Sequence, residues 1–269
     1  MTYNTIFYLT DENIGIIRLN RPERMNAVNE EMYLEIQDVL KRVESDTDIR
    51  TLILTGSVLK KGESEKQAFC AGADLKKHST GERTIEQKRQ YIELAHDTTR
   101  RIYNLSKPVI AAINGPARGA GTEMALNCDF IFMAETASIA FPETGLATFV
   151  GGGVTSLLVK ILGLTKAKEL IYTGRVLDGI TAENIGLALR CCPLDKLFFE
   201  AKNFAKLLAE KAPISIKYAK KYLQESEGLD IKHALKFETE AILACMETED
   251  WHEGLRSFNE KRKAVYKGR

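Results

Sequence analysis

Four scattered histidines, five cysteines without a CxxC pair, a formal net charge of +1 and no apolar run long enough to span a bilayer mark what this 269-residue sequence does without. The histidines, His78, His96, His233 and His252, form no HExxH motif and no His/Cys cluster, so no metal is expected. Cys70, Cys128, Cys191, Cys192 and Cys245 are odd in number and mostly have apolar neighbours, which fits a reducing cytoplasm. Near-neutral charge without a basic stripe argues against nucleic acid and anionic membranes as partners. The first twenty residues have neither the basic and apolar regions of a secretory signal nor an Arg/Ser-rich presequence, so a soluble, unprocessed cytoplasmic protein is expected.

Nucleotide motifs are missing as well. There is no GxxxxGK[ST], the spacing of Gly115, Gly119 and Gly121 is not GxGxxG, and the triplet Gly151–Gly153 has no lysine at P-loop spacing. No serine stands in GxSxG.

What is present is an α/β pattern. The runs Thr5–Thr10 and Ile14–Asn20 predict a hairpin, and apolar spacing predicts a helix from about Asn29 to Val43. TLILT (51–55) and VIAAI (109–113) are short continuous apolar runs of the kind buried on both faces of a sheet. A long amphipathic helix is expected over Thr84–Leu105, ending before Pro108, and further strands at DFIFMA (129–134), SIAF (138–141) and LALRCC (187–192). The charged stretch Ser57–Gln67 is predicted to be a surface loop. From Gly163 onward the pattern is mostly helical, consistent with a core over 1–200 and a helical carboxyl region over 201–269 that belongs to the same unit.

Two loops share one design. AFCAGAD (68–74) and GPARGAGTE (115–123) each follow a strand and place Gly and Ala where a helix begins, leaving backbone N–H groups approachable. If the two loops converge, they supply paired donors to one developing oxyanion. Beside them are Glu123, at a helix start with apolar MAL following, and Glu143, in FPETG after a strand. Singly, each glutamate reads more readily as a helix-dipole or turn residue.

Taken together, LNRPERMNAVN (19–29), AFCAGADLKKH (68–78), the run from Lys107 to Ala147, GLTKAKELIYTGRVLDGITAENIGL (163–187) and WHEGLRSFNEKRKAVY (251–266) resemble the crotonase superfamily of enoyl-CoA hydratases and isomerases. The resemblance covers essentially the whole chain. It implies a crotonase (ClpP-like) superhelix of ββα units, with a helical carboxyl region that assembles homotrimers or homohexamers. It also implies an acyl-CoA thioester substrate, with CoA as part of that substrate and no separate cofactor.

By the same resemblance, the oxyanion N–H groups belong to Ala73 and Ala120, the latter at a position commonly glycine in the family. Glu123 and Glu143 stand where hydratases carry their two glutamates. CoA contacts are implied at Arg24, Met25, Ala71 (through its carbonyl), Lys76, Phe258 and Lys261. The expected activity is syn addition of water to a 2-trans-enoyl-CoA. The alternatives are a Δ3,Δ2-enoyl-CoA isomerase, a hydratase of cyclic or branched dienoyl-CoA, or a non-catalytic scaffold or RNA-binding member. Two departures, Arg118 and the segment Phe149–Leu158 without the family's usual proline and arginine, are placed around the acyl pocket and bear on acyl specificity.

Overall fold

The computed structural model describes residues 2–61, 64–74, 83–226 and 228–269. Strands β1 (Ile6–Asp11) and β2 (Ile14–Leu19) form the predicted antiparallel hairpin. Its second strand pairs in parallel with β3 (Thr51–Gly56). The helix between them, α1 (Glu30–Ser45), is capped by Asn29, whose side chain accepts from Met32 N–H at 2.9 Å. It buries Met32, Ile36, Val39, Leu40 and Val43, the face expected from their spacing.

The charged stretch after β3 departs from expectation. It forms a two-stranded antiparallel ribbon, β4 (Val58–Lys61) with β5 (Ser64–Gln67). Backbone pairing builds this ribbon without the apolar alternation that marks a half-buried strand, so the composition read as loop.

The long helix α2 (Ile85–Asn104) starts at Thr84 with a reciprocal capping box to Gln87 and packs on α1. It feeds β6 (Val109–Ile113), every residue of which is buried and which pairs in parallel with β3. A three-residue strand, β7 (Pro116–Arg118), stands inside what the sequence suggested was purely loop. It is followed by helix α3 (Ala120–Leu126), β8 (Phe130–Ala134) and β9 (Ser138–Ala140). Helices α4 (Val154–Leu162) and α5 (Leu164–Thr173) lead to β10 (Leu177–Asp178), α6 (Gly179–Asn184) and β11 (Arg190–Cys192).

The main sheet has the order β1-β2-β3-β6-β8-β11, and a smaller sheet has the order β10-β9-β7. Helix α7 (Leu194–Ala209) lies across β2, β3, β6, β8 and β11. Each Ile, Leu, Val or Phe fully buried between these layers contributes about 1.5–3 kcal/mol of transfer free energy, which offsets the entropy of fixing the chain.

Helices α8 (Pro213–Glu225), α9 (Ile231–Met246) and α10 (Glu249–Glu260) complete the chain. Lys220 ties α8 to the core through Asp129 (2.7 Å) and the Lys107 carbonyl (3.1 Å). The tail folds back, with Lys267 and Gly268 N–H donating to the buried Asp250 carboxylate at 2.6 and 2.8 Å. Among the described residues, no helix is long and apolar enough to cross a membrane.

Candidate active site

The two Gly/Ala loops follow β5 and β6, and the fold brings them side by side, with Arg118 N–H donating to Cys70 O at 3.0 Å. Ala73 forms a parallel bridge with Val28: Val28 N–H donates to Gly72 O at 2.8 Å, and Asp74 N–H donates to Val28 O at 2.9 Å. In this pattern the bridging partner's own N–H points to the opposite side. Ala73 N–H is therefore directed away from Val28. Ala120 is the first residue of α3, and its N–H has no intrahelical acceptor. Among the described residues no acceptor meets either N–H. The two are neighbours, since a Cβ built on Gly72 would stand 3.9 Å from Ala120 N.

Two glycines of GPARGAGTE serve close packing. A Cβ at Gly121 would meet Cys70 O at 2.4 Å, so this glycine lets α3 press against the other loop. Gly119 adopts φ +47° and underlies a carboxylate: its missing Cβ would lie 3.1 Å from Glu143 Oε1. Close packing requires both residues.

Glu123 is placed one helical turn after Ala120, on the same face of α3. It is 8 % exposed, and its Oε1 accepts from Gly151 N–H at 2.7 Å. Glu143 opens a 3-10 turn, Glu143–Leu146, directly after the Phe141-Pro142 pair that follows β9. It is 7 % exposed, and its Oε2 is buried with no hydrogen-bond partner among the described residues. A buried acceptor left unpaired is costly unless something arrives to satisfy it. Burial pushes both carboxyls above the ordinary glutamate range. The Gly151 N–H opposes the rise at Glu123, whereas at Glu143 its own backbone N–H opposes it and the Glu123 charge adds to it.

The sequence reading missed the residues that hold this pair. Asn127, at the end of α3, donates through Nδ2 to Glu123 O (2.8 Å) and Gly152 O (2.6 Å), clamping the glycine triplet 151–153 against the helix. The segment 149–158 thus reaches the site through Glu123. Asn26 is fully buried and accepts and donates on all sides, with Arg21 N–H, Ser57 and Ala68 O as partners. Arg21 pairs with Asp74 at 2.9 Å and so fixes the loop just past Ala73. Nothing in residue type alone separates these clamps from surface polar residues.

Met25 and Ala71 are brought together: Ala71 N–H donates to Met25 O at 3.0 Å, leaving the Ala71 carbonyl unengaged among the described residues. Met25 is left-handed at φ +52° and follows Arg24, the last residue of a 3-10 turn opened by Pro22. Lys76 lies outside the described residues. Phe258 is 82 % exposed and Lys261 caps α10, and no hydrogen bond or ring contact joins either to the surroundings of Glu123 among the described residues. Arg118 turns onto Ser138, donating to its carbonyl and hydroxyl, each at 2.9 Å.

A model of the enoyl-CoA hydratase/isomerase family matches residues 10–269, and the chain belongs to that family. YngF of Bacillus subtilis (strain 168) is 38% identical over 263 residues, covering 98% of both chains. The crotonyl-CoA hydratase of Syntrophomonas wolfei is 35% identical over 266 residues, covering 99% of both. The crystal structure of an enoyl-CoA hydratase from Bacillus anthracis superimposes with a TM-score of 0.91 at 36% identity, covering 99% of this chain and 100% of that one. The α/β architecture is that of the crotonase fold.

Proposed function

We propose that the protein is an enoyl-CoA hydratase that adds water in syn fashion to a 2-trans-enoyl-CoA, giving the 3-hydroxyacyl-CoA. The observation that carries this reading is the pair of buried carboxylates, Glu123 and Glu143, beside the N–H groups of Ala73 and Ala120, which meet no acceptor among the described residues. An oxyanion site stabilises a thioester enolate in any member of the family. A second buried carboxylate is what water addition requires and a simple double-bond shift does not.

In this mechanism the thioester oxygen takes hydrogen bonds from Ala73 and Ala120 N–H, which stabilise negative charge as it develops. Water attacks Cβ while Glu123 takes one of its protons, and Glu143 delivers a proton to Cα. The unpartnered Glu143 Oε2 is the acceptor that such a water satisfies. Mutual repulsion favours the state in which the pair holds one proton, the state the chemistry uses.

The CoA part of the substrate is assigned to the Arg24–Met25 turn and the Ala71 carbonyl, supported by their juxtaposition. Lys76, Phe258 and Lys261 complete the proposal by family resemblance. Exposed Leu223, Ile231, Leu235, Ile242 and Leu243 on α8 and α9 support assembly through the carboxyl helices. Loss of the conjugated-thioester absorbance of crotonyl-CoA tests the reaction. Steady turnover to 3-hydroxybutyryl-CoA supports it, and an unchanged spectrum or a migrated double bond in the product of a β,γ-enoyl-CoA contradicts it.

A further inference from the structure

His96 sits on α2, outside the motifs that carry the family resemblance, with its imidazole exposed. It nevertheless reaches the catalytic pair. The Cβ-less face of Gly151 is approached by three polar atoms at once: a Cβ there would stand 3.0 Å from His96 Nε2, 3.2 Å from Glu123 Oε1 and 3.3 Å from Glu123 Oε2. No direct bond joins the imidazole to the carboxylate. By those distances the imidazole nitrogen and the nearer carboxylate oxygen are at most about 6 Å apart, within reach of one bridging water. Gly151 holds both ends, because its N–H binds Glu123 while its lack of a side chain keeps the gap open.

The placement of His96 is fixed by packing. The next turn of α2 is pressed on the glycine triplet, where a Cβ at Gly152 would lie 3.2 Å from Thr99 Cγ2, and Thr99 Oγ1 donates to His96 O at 3.0 Å. Of the groups around the imidazole, Glu123 faces it from α3 and the 151–153 loop contributes no titratable side chain. On its own helix the neighbouring Asp97 is engaged by Arg100 and Arg101.

We infer that His96 is a positioning residue that connects Glu123 to solvent through one water and resets its protonation between turnovers. This rests on the hydratase reading. Each hydration leaves Glu123 holding the proton it took from water and Glu143 without the proton it delivered. Before the next cycle, the proton on Glu123 passes to the bridging water as that water gives one of its own to His96 Nε2, which releases it to solvent. Glu143 regains one proton from solvent, so no proton is gained or lost overall. A carboxylate that is 8 % exposed has little direct access to bulk water, and an exposed imidazole beside it supplies that access.

The test uses the full-length protein with His96→Ala and His96→Gln, assayed on crotonyl-CoA. The expected result is a kcat reduced by roughly 10-fold with KM unchanged, less than the 10²–10⁴ of a group acting on the substrate itself. Added imidazole should restore the rate of His96→Ala in proportion to its free-base fraction, and the melting temperature should stay at the wild-type value. A crystal structure of the wild type should show an ordered water bonded to both His96 Nε2 and Glu123. Wild-type kcat in both variants, a raised KM with kcat untouched, no imidazole rescue, or no such water overturns the inference. Failure of the wild type itself to hydrate crotonyl-CoA instead overturns the reading on which it rests.

Discussion

Glu143 Oε1 lies directly over Gly119, so close that a β-carbon on that glycine would stand 3.1 Å from the carboxylate oxygen. The same glycine has φ +47°, a conformation that residues with side chains avoid. Gly119→Ala therefore acts twice: it strains the backbone by roughly 1–3 kcal/mol and displaces Glu143. A lowered melting temperature together with a kcat loss larger than that of a neutral loop substitution is expected. Thermal melts and steady-state kinetics on one preparation check both effects.

Ala120 offers a cleaner test of the oxyanion assignment. Proline is tolerated at the first position of a helix, where the missing N–H had no intrahelical partner. Ala120→Pro should preserve the far-ultraviolet circular dichroism while lowering kcat by about 10²–10³, the range for loss of one oxyanion donor. Ala120→Ser, which keeps the N–H, should remain within a few-fold of wild type. Equal activity in all three proteins would remove Ala120 N–H from the mechanism.

How far the sequence reveals this site depends on what kind of physics places each residue. The strands Thr51–Gly56 and Val109–Ile113 are legible because complete burial demands continuous apolar runs, and α1 because its apolar spacing follows one helical face. Glu123 and Glu143 are legible as candidates because a glutamate beside Gly/Ala loops is out of place on a solvated surface. The Val58–Gln67 ribbon is not, because backbone pairing leaves no mark on a run of charged residues. Asn127, Asn26 and His96 are not legible either. Their roles depend on Gly152, Ala68 and Gly151, partners far away in the chain that only the tertiary fold brings within reach.

Burial of Glu123 has a consequence for stability. Its carboxyl titrates above the ordinary range in the folded protein, chiefly through desolvation, so the unfolded chain ionises first as pH rises. Stability is accordingly fullest below the unfolded-state value of about 4.3 and is lost as pH rises through the folded value. Glu123→Gln keeps an oxygen for the Gly151 N–H and removes the ionisation. It should melt at a higher temperature than wild type at pH 7, and the difference should shrink toward zero near pH 4. A lower melting temperature at pH 7 would mean that the charge is better compensated than its surroundings indicate.

The carboxyl helices depend on a different buried charge. Lys220 and Asp129 are only 8% and 17% exposed at their side chains, and the pair joins α8 to the start of β8. Burial raises the Asp129 carboxyl, and Lys220 opposes that rise. Lys220→Ala should cost about 3–5 kcal/mol by stranding the carboxylate, whereas Lys220→Met combined with Asp129→Asn should recover much of the loss. Urea denaturation of the two variants against wild type separates the value of the pair from the cost of breaking it.

The account stands most directly on the claim that two carboxylates work together on one water. The decisive measurement follows the absorbance of crotonyl-CoA with the wild type, Glu123→Gln and Glu143→Gln in parallel. The account predicts turnover by the wild type, a loss of about 10²–10⁴ in kcat in each variant and wild-type secondary structure throughout. A wild type inert on crotonyl-CoA, or a Glu143→Gln variant that keeps its rate, would contradict it.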